Sequence, residues 1–284
     1  MRLARTATGR DKIAVFTKDY HGNFDEVLLR GSQAKRKPRT FPSAPGVPKT
    51  AVSNMLVLDY GTDESLSILK EHAHELAAIM IEPVQSRRPE FQPKEFVQQL
   101  RNLADESGSL LIFDEVICGL RDGPHGAQGF YGIKSDISTY GKVVGGGLPI
   151  GIVAGKAKYM DTFDGGHWEY GDDSFPEGDV TFFAGTFVRH PLGIAAANAV
   201  LKHLKQQGPQ LWANLNAKAE RLYQTVDQFM VENEVPIRLP GLNSRFFVRV
   251  GEDCKYGNLL FFHLRKRGVF ILEGFPSYLS LIHI

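Results

Sequence analysis

Asp114 closes the apolar run LLIFD (110–114), and Lys142 stands 28 positions later, directly ahead of VVGGGLP in the stretch STYGKVVGGGLPIGIVAGK (138–156). A carboxylate leaving the end of an apolar strand is costly to bury unless it meets a cation or a hydrogen-bond donor. A lysine on its own is most often a solvated surface residue. A phosphate loop does not account for this one, because neither G-x-x-x-x-G-K-[ST] nor G-x-G-x-x-G is present: Val143 follows the lysine, and Ile150 stands where a third glycine belongs. One cofactor accounts for both residues. Pyridoxal phosphate uses a lysine that condenses with its aldehyde and a carboxylate that keeps its ring nitrogen protonated, so that the ring acts as an electron sink. Such a lysine must be partly desolvated or close to other cations for its amine to be nucleophilic near neutral pH, and the glycines after it let backbone approach closely.

Two further stretches suit the same cofactor. FTKDYHGNFD (16–25) offers Tyr20, an aromatic able to stack on a pyridine ring, followed by His21 and Gly22. FFAGTFVRHPLG (182–193) offers Thr186, a hydroxyl donor for a phosphate at the start of a helix, where backbone N–H groups favour an anion. Taken singly, each has a plainer reading. Aromatic-His-Gly also marks a strand-to-turn junction, and Gly-Thr ahead of a helix is also an ordinary cap.

The elements that must hold these residues are legible as alternating short apolar runs and longer helical patterns, the mark of an α/β chain with a mostly parallel sheet. KIAVF (12–16), MLVLDY (55–60), LAAIMIEP (76–83), SLLIFDE (109–115) and IGIVAG (150–155) read as strands. DESLSILKEHAH and PKEFVQQLRNLADESG read as helices, the second with Pro93 near its start and Gly108 just past its end, and RLARTATG reads as the close of a helix ending at Gly9. Functional residues are then expected at the carboxyl ends of the strands. From about Pro191 long helices follow, then RFFVRV and a helix around LLFFHLRKRG, which predicts a large domain over 1–208 and a partial α+β C-terminal small domain over 209–284. The basic, proline-bearing segment AKRKPRTFPSAPGVP (34–48) reads as a solvated loop.

The chain's bulk properties exclude several classes. Its 284 residues, 43% hydrophobic, suffice for a large core, and 33 basic against 32 acidic residues leave no whole-chain field for nucleic acid or an anionic membrane. Cys118 and Cys254 are too few and too distant for a disulfide framework or a zinc site, which suits a reducing cytoplasm. Cys118 reads as a buried small hydrophobe. The nine histidines include no H-x-x-x-H pair, and no apolar run approaches the length of a membrane span. No metal site, nucleic acid or membrane partner is expected.

With TGRDKI, YHG, IEPV, LLIFDEV, GKVVGGGLPIG and AGTF..HPL in order, the chain resembles the class III, fold-type I pyridoxal-phosphate aminotransferases, within them the glutamate-1-semialdehyde aminomutase-like branch. The resemblance implies that Lys142 is the Schiff-base lysine, Asp114 the partner of the pyridine nitrogen, Val116 a packing residue behind the ring and Tyr20 the stacking aromatic. It makes Thr186 a phosphate ligand donated across a homodimer interface, and sets Glu82 near the site. HWEYGDDSFPEGDVTFFAGTFVRHPLG and FFHLRKRGVFILEGFPSYLS look more narrowly like the aminotransferase domains of hybrid polyketide/nonribosomal peptide synthetases of the microcystin and nodularin type. That likeness implies a glutamate-like amino donor and a β-keto acyl chain held as a thioester on a carrier protein. A 2,1-aminomutase-type isomerase and an inactive fragment are the alternatives. The family's Gly-Ser/Thr-rich phosphate loop falls upstream of MRLARTATGR, and LSLIHI departs from the family's Ser/Thr-Ala-His continuation, so a fragment is expected, with FFVRV and LLFFHL left uncovered.

Overall fold

The computed structural model describes residues 1–32, 38–166, 168–178 and 180–278. Its principal sheet is built from β1 (Lys12–Phe16), β4 (Met55–Leu58), β5 (Leu76–Ile81), β6 (Leu110–Asp114), β7 (Ile137–Gly141) and β8 (Gly151–Gly155), in the order β4-β1-β5-β6-β7-β8. Every neighbouring pair runs parallel except β7 and β8. Between β1 and β4 lies a short antiparallel hairpin, β2 (Leu29–Ser32) with β3 (Arg39–Pro42). Part of the segment expected to be a loop is therefore a strand. Its alternating half-buried residues are covered on one side only, a pattern too short to register against the surrounding prolines and basic residues. Residues 34–37 of that segment lie outside the described residues.

The continuous apolar runs follow from burial of the sheet on both faces. Alternate residues of β1 go to opposite sides: Ala14 and Phe16 join Leu58, Ile79, Ile81 and Phe113, while Ile13 and Val15 join Met55, Met80, Ile112 and Ile137. The first face is covered by α2 (Asp63–His72) and α3 (Lys94–Ser107), the second by Leu3 and Ala4 of α1 (Arg2–Thr8). In α3 the buried Phe96, Val97, Leu100, Leu103 and Ala104 recur at helical spacing, and Gly108 ends the helix in the left-handed region at φ 72°. Gly9 ends α1 in the same way at φ 65°. Thr62 caps α2 by accepting the Ser65 N–H, with Asp63 and Glu64 in the first turn and Lys70 in the last, each sign matching the helix dipole.

After β6 come α4 (Gly126–Tyr131), then β7 and β8, and after α5 (Ala157–Met160) a long irregular stretch leads to α6 (Pro191–Gln207) and α7 (Pro209–Glu232). Trp212 and Leu215 of α7 bury with Val143 and Leu204, and the Trp212 indole N–H donates to the Leu120 carbonyl at 2.8 Å. The RFFVRV segment forms two short strand pieces, Arg245–Phe246 and Arg249–Val250, in separate small sheets rather than one strand. Phe246 and Val248 are buried with Ile237, Leu239 and Phe261, so the expectation that FFVRV is left uncovered does not hold; Phe262, on the other side of α8 (Leu259–Lys266), is exposed. Asp122 and Arg245 form an almost fully buried ion pair, with Arg245 Nη2 at 2.7 and 2.8 Å from the two carboxylate oxygens. Among the described residues no helix is long and apolar enough to cross a membrane.

Candidate active site

Strands β1, β5, β6 and β7 lie side by side and run in the same direction, so their carboxyl ends form one edge. The segment Asp19-Tyr20-His21 follows β1, Glu82 follows β5, Asp114 ends β6 and Lys142 follows β7. Residues up to 123 positions apart in sequence are thus gathered by parallel topology alone.

Asp114 is 7% exposed and richly hydrogen-bonded. Its Oδ1 accepts from the Val116 N–H at 3.2 Å and the Thr139 hydroxyl at 3.1 Å, and its Oδ2 is 2.9 Å from His21 Nδ1. Glu115, next in the chain, turns away: its carboxylate accepts the backbone N–H groups of Ala127 and Gln128 at 2.8 and 3.3 Å, at the head of α4. Burial raises the Glu115 pKa. The adjacent carboxylates of the DE pair have separate tasks, one in the site and one in the scaffold.

Lys142 opens a tight 3-10 turn, Lys142–Gly145, and adopts φ 51°, a left-handed conformation uncommon for a side-chain-bearing residue. The glycines explain how the turn fits. Gly146 has φ 57°, and a Cβ there would sit 2.9 Å from Val200 of α6, so the run lets the turn press against that helix. Val116 lies against the same turn, about 3.5 Å from where a Gly141 Cβ would be. The Lys142 side chain reaches solvent, yet partial burial lowers its pKa below the ordinary lysine value, against the opposite pull of the Asp114 and Glu82 charges. Tyr20 is 49% exposed, and its backbone N–H donates to Glu82 at 2.9 Å. Burial, with the nearby charge of Asp19, pushes Glu82 up to about 8. For His21, burial alone would lower the pKa, but the flanking carboxylates of Asp114 and Asp19 outweigh it and push it up to about 10. Gly22, at φ 108°, turns the chain outward just after His21.

Thr186 is placed differently from expectation. Helix α6 begins at Pro191, whose ring presets the first helical φ, and Thr186 lies in the turn before it, five residues upstream. It is exposed and lines an apolar groove of about 760 Å³ with Ile150, Val153, Phe187 and Ile194. The edge of parallel strands thus brings together Tyr20, His21, Glu82, Asp114, Val116 and Lys142, while Thr186 belongs to the exposed groove beside β8. Sequence reading missed Thr139, Asp19 and Gln85. Thr139 could have been found three positions ahead of Lys142, and Asp19 as the charged residue just before Tyr20. Cys118 is buried as expected, and burial raises its thiol pKa well above the ordinary value.

Residues 1–283 match the family described as aminotransferase class-III. The chain belongs to that family. Among curated relatives of this class-III aminotransferase domain, glutamate-1-semialdehyde 2,1-aminomutase of Haloarcula marismortui is 35% identical over 263 residues, covering 90% of this chain and 55% of the relative. The enzyme of the same name from Desulfitobacterium hafniense is 38% identical over 250 residues, covering 87% and 54%. The chain thus spans little more than half the length of these relatives. Among solved structures, an omega-transaminase from Sphaerobacter thermophilus superposes with a TM-score of 0.84 at 28% identity, over 99% of this chain and 66% of that one. A transaminase with PLP bound gives 0.85 at 28% identity, over 100% and 65%. The fold-type I architecture expected from the sequence is the one observed.

Proposed function

We propose that this class-III domain carries out pyridoxal-phosphate-dependent transamination, with Lys142 and Asp114 at its centre. The observation that carries the reading is the hydrogen-bond pattern of Asp114. A carboxylate offers about four acceptor positions; Val116 and Thr139 occupy two on Oδ1 and His21 one on Oδ2, which leaves one on Oδ2 for the N–H of a pyridine ring. The residues present fit the cofactor: the Lys142 amine, the half-exposed Tyr20 ring and the Asp114 carboxylate share one strand edge. When bound, pyridoxal phosphate supplies an aldehyde carbon that captures amines and a ring that withdraws electrons. Asp114 Oδ2 would accept the ring-nitrogen N–H, its orientation fixed by the donors from Val116, Thr139 and His21. Lys142 Nζ, its pKa lowered by burial, would be the amine that holds the aldehyde and takes the α-proton of the amino donor. Tyr20 would stack on one face of the ring and Val116 would pack behind it. Thr186 would donate its hydroxyl to the phosphate held by a partner protomer in a homodimer.

For substrates we assign a glutamate-like amino donor and a β-keto acyl thioester on a carrier protein of a polyketide/nonribosomal peptide assembly line. The assembly-line-like motifs support this, as does the largely exposed, irregular course of residues 168–178 and 180–190, which leaves room for a tethered chain. A second reading, the 2,1-aminomutase-type isomerase, is favoured by the names of the curated relatives. Supplying the chain with pyridoxal phosphate and glutamate, then offering either a carrier-loaded β-keto acyl thioester or glutamate-1-semialdehyde, separates the two. Amination of the thioester with release of 2-oxoglutarate is the expected result. Turnover of the semialdehyde alone favours the isomerase, and failure to develop the visible absorbance of bound cofactor rejects both.

A further inference from the structure

After β1 the chain turns through Lys18, at φ 75°, and sends the Asp19 and His21 side chains inward, 1% and 3% exposed. The His21 imidazole lies between two carboxylates. Nδ1 is 2.9 Å from Asp114 Oδ2, and Nε2 is 3.5 Å from Asp19 Oδ2 with no hydrogen-bond partner among the described residues. Asp19 is itself held from the far side. Its Oδ1 accepts from Gln85 Nε2 at 2.7 Å and its Oδ2 from the Glu82 N–H at 3.1 Å, while Gln85 Nε2 also donates to the Thr17 carbonyl at 2.8 Å. The end of β1 is thus clamped to the end of β5 with the Asp19 carboxylate directed at the imidazole.

We infer that Asp19 is a positioning residue that acts through His21, committing the Nδ1 proton of the imidazole to Asp114. The inference rests on the reading of Asp114 as partner of a cofactor ring nitrogen. A neutral imidazole carries one N–H, and which nitrogen bears it is set by what the other meets. If the proton sat on Nε2, the Nδ1 lone pair would face the Asp114 carboxylate and repel it. Asp19 prevents this as long as it and His21 together hold the extra proton. As a carboxylate it accepts Nε2–H from an imidazolium; as a neutral acid it donates its O–H to the Nε2 lone pair. In both, Nδ1–H remains donated to Asp114, so a single proton shared by Asp19 and His21 can move without altering what Asp114 receives.

The other charged groups facing this cluster are Glu82, whose carboxylate accepts the Tyr20 N–H, and Lys142, which feels the charges of Asp114 and Glu82. Burial raises the Asp19 pKa, and the two flanking carboxylates raise that of His21, both in keeping with a proton retained between them. The sequence reading assigned Asp19 no part.

The test uses the whole chain without cofactor, labelled with 15N at histidine, and follows the His21 ring nitrogens by two-bond 15N–1H correlation across pH. At pH 7.5 the parent is expected to show Nδ1 protonated; an unprotonated Nδ1 overturns the inference without any variant. Asp19→Ala should lower the His21 pKa by about two units or more, the scale on which a lost charge partner acts, and admit the Nε2–H form once the ring is neutral. Asp19→Asn should lower the pKa equally yet keep Nδ1–H, because its amide can still donate to Nε2. Gln85→Leu loosens the clamp without touching the imidazole, and should cost stability while leaving the His21 signals nearly unchanged. A His21 titration in Asp19→Ala that matches the parent, or one moved as far by Gln85→Leu, shows a merely structural aspartate. Failure of the parent to bind pyridoxal phosphate would sink the functional reading and leave the imidazole result standing.

Discussion

Thr139 on β7 and Asp114 on β6 are direct register partners across two parallel strands, and the Thr139 hydroxyl donates to Asp114 Oδ1 at 3.1 Å. The strand that delivers Lys142 at its end therefore also steadies the carboxylate on its neighbour. Removing the hydroxyl by Thr139→Val leaves the β-branched shape and deletes one donor to a charged group, an interaction of about 1.5–3 kcal/mol. Cofactor affinity or turnover is expected to fall by about tenfold to a hundredfold, with the far-ultraviolet spectrum unchanged. Equilibrium titration of Thr139→Val with pyridoxal phosphate checks it, and parental affinity together with parental turnover would contradict it.

Lys142→Ala is expected to abolish the covalent lysine–cofactor adduct trapped by borohydride, located by peptide mass spectrometry. An adduct of equal yield on another lysine would refute the assignment. Asp114→Asn should retain some cofactor binding while slowing turnover by orders of magnitude, since a neutral pyridine is a poorer electron sink.

The Asp122–Arg245 pair is almost fully buried and carries further donors, Asn243 to Asp122 and Arg245 to the Val84 carbonyl. Asp122→Ala strands a buried guanidinium and should cost about 3–5 kcal/mol. The double replacement Asp122→Leu with Arg245→Met removes both charges and should recover much of that loss. Urea unfolding of the three chains measures it; equal losses in single and double variants would show that packing, not charge, is at stake.

Stability should fall as pH rises from about 5 to 10. His21 gains its proton affinity from the two carboxylates, so its contribution is complete below its ordinary value of 6.5 and is lost as pH passes about 10. Glu82 is an acid raised by burial, so its contribution is complete below 4.5 and is lost as pH passes about 8, a change of the same sign. Glu75, lowered to about 2 by its bonds to Lys12 and His72, loses its contribution only below 4.5 and does not oppose the trend. Urea midpoints at pH 6, 8 and 10 should descend, and His21→Gln should flatten the upper part. A flat parental profile would disprove the assignment of buried protons.

Phe187 is 80% exposed beside Thr186, with Phe182, Phe183, Leu192 and Ile194 also exposed nearby in the chain. A surface of this kind is typical of an obligate dimer contact. Phe187→Asp is expected to shift sedimentation toward monomer and weaken cofactor binding together. A parent chain that is monomeric while holding the cofactor would rule out the shared site.

The sequence by itself determined five of the strand-forming runs, the helices ended by Gly9 and Gly108, and the strand-end position of Asp114, because each depends on a few adjacent residues: apolar continuity, helical spacing, a glycine free to adopt positive φ. It did not reveal β7, whose ISTYG mixes polar and apolar residues because Ser138 and Tyr140 spend their side chains on Gln128. The family resemblance alone singles out Asp114 over Glu115, since alternation sends neighbours to opposite faces but does not say which face holds α4 and which holds His21. The helix read from Pro191 does begin there, and Thr186 lies five residues ahead of it, in the preceding turn. Only the tertiary structure places Asp19, Thr139 and Gln85 at the strand edge that carries Asp114. Each is an ordinary polar residue locally, and acquires a task when parallel strands far apart in sequence set their ends side by side, bringing hydrogen-bond partners within reach across a buried edge.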